Sequence, residues 1–485
     1  MLKSRLCIAF FAFAVGCAPA QKPLTDYVNP MLGTATLWDS VDLGFKPTKR
    51  TWGAEVFPGS SLPNAMVQVS PVTKFHSGAG YQYEDSVIYG FTHTNKGHWN
   101  LCHIPLLPVT GTPTPGDYCS PFSHERESAA PGYYQVFLDR YGVDAQLSST
   151  LRCAFHKYTY PAGAAASLLA DLQRSNEHVR AWDIRKEGDN VFAGWQQTGE
   201  KMYFYAVANR PVTGIEPVVE GDREVRIVRF GEGDGALELR IGFSFVSEKN
   251  ARENLEAEML GKSFAEVRSE ATATWNDLLG RIRVEGGTER EKGLFYSSLY
   301  RSFLWPALRS DVNGEFTDVD GKVINPGFRY YTGPSYWDDY RNKLILLGML
   351  APDVAADVIS SDTDKGEKRG GFMPTFFHGD HASAFVAGTY LRGNRGFDVN
   401  RAYNLVLRNA TVQGPSRPWL DEYIAKGYIS EMDVENPVTW TVCKAAVTKT
   451  LEYSYDDYAV ALLADALGDK ENRDMLMKRT SNYKN

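Results

Sequence analysis

Several familiar signatures are missing from this sequence. It has no P-loop, no glycine fingerprint of a dinucleotide fold, no Gly-x-Ser-x-Gly elbow and no His-Glu-x-x-His pair. Nucleotide, nicotinamide, serine-hydrolase and zinc-protease chemistry therefore lack their usual anchors. Positive charge is in the minority, with 52 Lys and Arg against 59 Asp and Glu and a net charge of −7. No basic cluster interleaved with aromatics occurs, so no nucleic-acid partner is expected. Cysteine is sparse, six in 485 residues, at spacings that match no zinc pattern. No internal repeat is visible.

Long apolar runs are also scarce, and the one at the start has a recognisable purpose. Lys3 and Arg5 precede an apolar stretch over residues 6–15, and the small residues Ala18-Pro19-Ala20 stand before Gln21. This is an export signal over residues 1–20, too short to span a membrane comfortably. The chain is thus expected in the periplasm or at the surface of a bacterium, or secreted. The residues "AVGC" at 14–17 also resemble a lipoprotein box, in which Cys17 would carry a lipid and tether the chain to a membrane; plain cleavage after Ala20 is preferred. Cys102, Cys119, Cys153 and Cys443 would remain, and their three pairings stay open.

What is plentiful is aromatic, 13% of residues with 10 Trp and 26 Tyr, which serves a large core as readily as it serves sugar stacking. Residues 21–250 read as β-rich. Runs such as "GYYQVFLDRYGVDAQLSST", "KMYFYAVAN" and "ALELRIGFSFV" alternate with period two between Gly, Pro and Asp turns, which predicts a sandwich. Residues 251–288 carry apolar positions at helical spacing and are expected to form linker helices. From residue 289 to 485 helices dominate, at about 289–305, 335–350, 352–360, 380–392, 398–410, 417–426, 437–450, 453–467 and 470–482. The expected fold is multidomain β plus α, an N-terminal β-sandwich followed by an incomplete (α/α)6 toroid. The stretch "DVNGEFTDVDGKV" (311–323) looks at first like a calcium loop. Phe316 stands where an EF-hand needs Gly, and the turn pairs Asn-Gly and Asp-Gly predict a hairpin instead.

Three stretches concentrate chemistry. In "PSYWDDYRNK" (334–343), Ser335 is placed to cap a helix, and Asp338 and Arg341 share one face at i, i+3. Asp339 is turned about 100° away, so the adjacent carboxylates cannot act as the opposed pair of a glycosidase. Asp338 with Arg341 is either a surface ion pair or a clamp for sugar hydroxyls. "FTHTNKGHWNLCHIP" (91–105) gathers His93, His98, Trp99, Cys102 and His103 without metal spacing, and reads equally as a hydrogen-bonded loop or as a loop that stacks Trp99 on a ligand. "FFHGDHASAF" (376–385) sets His378, Asp380 and His381 ahead of a helix, where Asp380 is expected to be an N-cap that needs no further role.

Taken in order, "YVNPMLGT" (27–34), "FPGSSLPNAMVQVSP" (57–71), "GYQYEDSVIYGFTHT" (81–95), "GFSFVSEKNARENLEAE" (242–258), "FYSSLYRSFLWP" (295–306), "DVNGEFTDVDGKV", "SYWDDYR" (335–341) and "RGFDVNRAY" (395–403) resemble glycoside hydrolase family 92. That family comprises calcium-dependent, inverting exo-α-mannosidases built as a β-sandwich followed by an (α/α)6 barrel. The resemblance spans nearly the whole mature chain. It implies mannose-containing glycans, N-glycans or mannan, as partners and calcium as cofactor. It implies that Trp337 and Asp338 meet the terminal mannose with Arg341 in support. It also implies that Trp99 and His93 lie in a sandwich loop over the active site, and that Asp380 and His381 fall in a barrel segment with a shared Gly-x-His core.

The sequence departs from the family in one respect that bears on catalysis. The segments that carry the general acid Glu ("TEGNAWQY") and the base Asp ("GNDDxGQ"), with "GNEPSHH" between them, do not occur. The resemblance therefore places acid, base and calcium ligands beyond Asn485, with no catalytic pair in this sequence. The implied function is an exported α-1,2-mannosidase, inactive as this chain; the alternative is a mannoside-binding protein without hydrolysis.

Overall fold

The computed structural model describes residues 22–37, 44–46, 54–95, 101–435 and 444–485. The export signal, Cys17, His98, Trp99 and Cys443 lie outside the described residues.

Alternation of buried and exposed side chains builds the first half. In Lys201–Ala208 every second residue, Met202 to Ala208, points inward. Such strands form two antiparallel sheets. The eight-stranded sheet runs Ala181–Gly188, Val191–Gln197, Lys201–Ala208, Leu237–Ser244, Cys153–Thr159, Val143–Ser149, Tyr133–Leu138, Glu127–Ala130. The seven-stranded sheet runs from Ser60–Ser61 through Gln68–Val72, Gly90–Thr92, Leu106–Val109, Ser167–Ala170 and Arg223–Phe230 to Val212–Glu220. Their inner faces meet in an apolar layer in which Phe91 packs 6.4 Å from Tyr134 and 6.3 Å from Tyr158. This is the expected sandwich.

Two helices leave it. Helix α1 (Glu248–Glu258) and helix α2 (Phe264–Leu279) cover the outer face of the eight-stranded sheet, with Leu255, Met259, Phe264 and Val267 against Tyr133, Cys153 and Phe155. Gly242 permits this approach, since a Cβ there would stand 2.1 Å from the Ala251 carbonyl oxygen. Cys102, Cys119 and Cys153 are free thiols, and burial pushes the Cys102 thiol up to about 12.

Helix α3 (Glu289–Ser302) starts at a Thr288–Glu291 capping box and opens the helical half. The segment after it turns back along the sandwich. Asn64 donates from its backbone to Phe303 O (2.6 Å) and from Nδ2 to Pro306 O (2.8 Å), and its carbonyl accepts from Leu308 N (2.9 Å). Gln68 Nε2 donates to Leu304 O at 2.5 Å. Asp311, 2% exposed, ends the segment and accepts from Ser244 Oγ (2.7 Å), Asn250 Nδ2 (2.9 Å) and Asn254 Nδ2 (2.7 Å). Residues 311–324 then make the expected hairpin, with Phe316–Thr317 paired to Val323–Ile324.

Helices α4 (Tyr336–Asp339), α5 (Lys343–Leu350), α6 (Pro352–Lys368), α7 (Ala382–Leu391), α8 (Val399–Thr411), α9 (Leu420–Lys426), α10 (Ala446–Leu467) and α11 (Lys470–Arg479) complete the described chain. Helix α10 packs on α7, α8 and α11, and α6 on α5 and α8. Two expectations need correction. Residues 335–350 are not one helix: Asn342 breaks it, its side chain accepting from Lys343 N to cap α5. Residues 446–467 are one helix of 22 residues rather than parts of two, because Tyr453 and Ser454 in "LEYSYDDY" are buried against packed neighbours instead of forming a turn. Val447, Leu451, Tyr455 and Tyr458 stand exposed along one side of α10.

Asp311→Ala removes three buried hydrogen bonds, while Asn250 and Asn254 keep only their second acceptors, Glu315 and the Phe243 carbonyl. It is expected to cost about 2–4 kcal/mol, read as a lower midpoint in urea or thermal unfolding; a change below about 0.5 kcal/mol, the size of a neutral surface substitution, would contradict the anchoring role.

Candidate active site

Because residues 303–311 are held against the sandwich, the side chains they carry open onto the seam between the two halves. A cleft of about 410 Å³ lies there, lined by Leu101 and Glu177 from the sandwich side and Trp305, Arg309, Ser335 and Phe376 from the helical side. The Trp305 indole donates to Gly333 O at 3.2 Å. Arg309 lies over the Phe245 ring at 4.3 Å, and its burial lowers its pKa against the pull of Glu200 and Glu177. Glu177 accepts from Thr198 Oγ1 at 2.5 Å and stands 3.2 Å from His103 Nε2. The hydrogen bond with His103 holds the Glu177 carboxyl below its usual range although burial opposes it.

One turn beyond Ser335, the short helix α4 separates the two adjacent aspartates as helical geometry requires. Asp339 is buried, its Oδ2 accepting from Ser335 N at 3.2 Å while both oxygens meet Lys343 Nζ at 3.2 Å. Asp338 is exposed. Ser335 makes no side-chain cap; the Asp339 carboxylate takes the amide of Ser335 instead. Trp337 donates its indole N–H to Glu452 Oε1 at 3.3 Å. Arg341, 55% exposed, spreads over the Tyr340 ring at 4.5 Å, with its Nη2 4.0 Å from Glu452 Oε1. Phe377 packs 5.8 Å from Trp337 and 4.3 Å from Phe376, which joins this turn to the cleft.

Behind Trp337 lies a buried network of charge. His381 stacks on Tyr340 at 3.7 Å, its Nδ1 donates to Asp456 Oδ1 at 2.9 Å, and its Nε2 stands 3.3 Å from Glu452 Oε2. Burial alone would lower the His381 pKa, yet the Asp456 and Glu452 carboxylates push it up to about 9. Asp380 was expected to cap a helix. It is instead fully buried, accepting from Ser383 Oγ (2.7 Å), Asn409 Nδ2 (2.9 Å) and Arg417 Nε (3.2 Å), because Arg417 needs a carboxylate on each side. The second is Asp457, 2.6 Å from Arg417 Nη1 and 2.9 Å from Arg479 Nη2. Burial, the first cause, and Asp456 raise the Asp380 pKa against Arg417. Gly379, at φ +88°, keeps the chain tight here, since a Cβ would come within 2.9 Å of Glu452 and His381.

The structure thus brings Trp337, Arg341 and His381 together around Glu452, with Asp338 on the same turn and Asp380 one layer deeper. It does not bring His93 to them. His93 is fully buried in the sandwich, bonded to Ile104 O (2.9 Å) and His156 Nε2 (3.0 Å), and burial lowers its pKa to about 3. The loop reading of His93 fails for a physical reason: its ring fills the layer beside Phe243, 4.5 Å away. Glu452, Asp456, Arg417, Glu177 and Arg309 escaped the sequence reading. The i, i+4 spacing of Glu452 and Asp456 on one helix face was the available signal. Among the described residues no group of three or more His, Cys, Asp or Glu side chains is arranged to hold a metal ion. The buried carboxylates here are already committed to Arg417, Arg479 and His381, which does not suit calcium.

The raised His381 pKa makes a pH prediction. Its stabilisation is full below the ordinary value of 6.5 and is lost as pH rises through about 9. His381→Asn should therefore cost most stability at pH 6 and progressively less towards pH 9.5, read from urea midpoints; a pH-independent cost would contradict the pairing. Arg417→Met should destabilise by about 3–5 kcal/mol, because two buried carboxylates lose their counter-ion; unfolding of that variant at the wild-type midpoint would overturn this.

The model of the glycosyl hydrolase family 92 N-terminal domain matches residues 27–253, and that of the family 92 catalytic domain matches residues 250–485. A family GH92 α-mannosidase from Bacteroides thetaiotaomicron is 26% identical and superposes with a TM-score of 0.85, covering 96% of this chain and 65% of its own. The same enzyme is solved with mannoimidazole. An inverting family GH92 mannosidase from Bacteroides thetaiotaomicron VPI-5482, 24% identical with a TM-score of 0.82 over 95% of this chain and 65% of that one, shares the fold. A secreted glycosidase of Arthroderma benhamiae is 24% identical over 520 residues, which are 95% of this chain and 62% of the relative. The chain spans 62% to 65% of the length of these relatives. With both family models matched end to end along residues 27–485, the chain belongs to glycoside hydrolase family 92.

Proposed function

We propose that this chain recognises the terminal sugar of an α-mannoside in the seam cleft. The observation that carries the reading is the joint construction of that cleft, by Glu177 from the sandwich and by Trp305, Arg309 and Ser335 from the helical half, with Trp337 linked to its Phe376 wall through Phe377 and Arg341 over Trp337. Aromatic faces and a guanidinium next to an exposed carboxylate, Asp338, suit a ring with equatorial and axial hydroxyls. The α-mannosidase relative, solved with mannoimidazole, supports mannose as the sugar. N-glycans and mannan exported to the cell exterior are the fitting source, in keeping with the secreted relative.

Inverting hydrolysis needs one carboxylic acid at the leaving oxygen and one carboxylate that activates water, about 6.5–9.5 Å apart across the sugar. The carboxylates near this cleft serve other partners. Asp339 is tied to Lys343 and Ser335, and Glu452 serves Trp337, His381 and Arg341. His103 keeps Glu177 ionised, which makes it a poor proton donor. We therefore infer that these residues bind and orient the sugar without supplying the acid–base pair. The same occupancy favours the second reading, a mannoside-binding protein, for the chain as it stands.

Incubated with α-1,2-mannobiose, the chain should release no mannose above a mock preparation, while methyl α-mannoside binds measurably by calorimetry. Turnover would overturn the orienting-only assignment, and absence of binding would overturn the cleft. Arg341→Ala should weaken that binding about two- to tenfold, as for one net hydrogen bond, with an unchanged melting temperature.

A further inference from the structure

Arg309 is a wall shared by two cavities. On one side is the seam cleft; on the other is a larger cavity of about 620 Å³ between the sandwich edge, the 311–324 hairpin and helix α6. The second cavity has room for a substituted monosaccharide. Its aromatic residues do not offer free faces for sugar stacking. Lys201 Nζ stands 5.0 Å from the Tyr203 ring, Arg309 covers Phe245 at 4.3 Å, and Tyr330 is stacked on Phe316 at 3.6 Å with Lys365 Nζ 4.9 Å from its ring. The rings prop cations, and the cations face the cavity.

The local carboxylates neutralise only part of this charge: Asp362 takes Lys365 Nζ at 2.9 Å, whereas Lys201 and Arg369 have no ion pair among the described residues. Asp318 is already engaged by Lys368 Nζ (2.9 Å) and by the amides of Asp320 (3.0 Å) and Lys322 (2.8 Å). Glu200, 63% exposed, stands 3.5 Å from Arg309 Nε. Arg309 itself is only 8% exposed, and its Nε makes no hydrogen bond within the protein; the buried Tyr330 hydroxyl is likewise unbonded. A buried guanidinium whose partner is a solvent-exposed carboxylate 3.5 Å away is incompletely compensated and gains from a further acceptor. Arg369 adds a further positive charge at the exposed rim.

We propose that this cavity binds an oxyanion, a phosphate, sulfate or carboxylate group, with Arg309 and Lys201 as its principal contacts and the Tyr330 hydroxyl donating a hydrogen bond. Such a group comes either free or as a substituent on a glycan whose terminal sugar lies in the neighbouring cleft. The second source rests on the mannoside reading; the oxyanion site does not.

The test titrates the full chain by calorimetry with inorganic phosphate, with mannose 6-phosphate and with methyl α-mannoside. Saturable binding of inorganic phosphate and mannose 6-phosphate at equal strength supports a free-oxyanion site, and tighter binding of the sugar phosphate supports a glycan-borne one. Lys201→Gln combined with Arg369→Gln, both away from the core, should weaken binding of either phosphate roughly tenfold or more, as for lost charge-assisted hydrogen bonds. It should leave methyl α-mannoside binding and the melting temperature unchanged. Arg309→Gln should weaken phosphate most. Failure of both phosphates to bind saturably, or equal phosphate binding by wild type and the double variant, would overturn the proposal. Because no arm reads hydrolysis, loss of the mannoside arm alone would count against the mannoside reading and not against the oxyanion site.

Discussion

Residues 303–311 are fixed to the sandwich by a run of buried hydrogen bonds, and every functional feature described above hangs from that attachment. Asn64 supplies three of the bonds and Gln68 a fourth, all to main-chain groups that would otherwise be orphaned when two domains close on each other. Arg152 adds a bond from Nε to Ser310 O at 2.8 Å while pairing with Glu258 of α1 at 2.7 Å. Asp311 then locks the end of the run to the sheet and to α1. A polar seam of this kind has a narrow choice of geometries, because each unmade bond leaves a desolvated group. That narrowness places Trp305 and Arg309 at fixed positions facing two cavities.

A second constraint acts deeper in the helical half. Arg417 lies between Asp380 and Asp457, and the arrangement ties the segment before α7, the loop before α9 and helix α10 to one another. Helix α10 carries the consequence to the surface. Asp456 orients His381, and Glu452, one turn earlier on the same face, meets His381, Trp337 and Arg341. A buried cation of this sort is weak evidence for net stability, since its desolvation is expensive, but it allows few alternative packings around it. The Trp337–Arg341 turn is thus positioned from behind by charge and from the side by the seam.

Much of this was legible in the sequence where the physics is local. Period-two alternation located the central strands, and helical spacing correctly separated Asp338 from Asp339, even though the helix that carries them ends at Asp339 itself. The strands Ala181–Gly188 and Val212–Glu220 escaped because both lie at sheet edges, where mostly half-exposed or exposed residues leave no alternation to read. Asp380 illustrates the other limit. An Asp ahead of a helix looks like a cap from sequence, and its true role depends on Arg417, 37 residues away and fully buried. Glu452 and Glu177 gain meaning from partners in distant segments; the i, i+4 spacing of Glu452 with Asp456 was the one local sign, and Glu177 had none. His93 shows the reverse case: with Cys102 and His103 it is buried, which is the hydrogen-bonded reading of the two left open for that stretch. The eight ordered motifs carried the family assignment, which no composition or periodicity argument could have reached.

The central claim is that the terminal sugar sits on the seam, against Trp305 and beside the Trp337–Arg341–Glu452 group. A crystal structure of the chain soaked with mannoimidazole, the inhibitor seen with the Bacteroides relative, tests it most directly. The account predicts inhibitor density in the seam cleft, with the ring hydroxyls reaching Asp338 and Arg341. Density at another surface, or an empty cleft at saturating inhibitor, would contradict it.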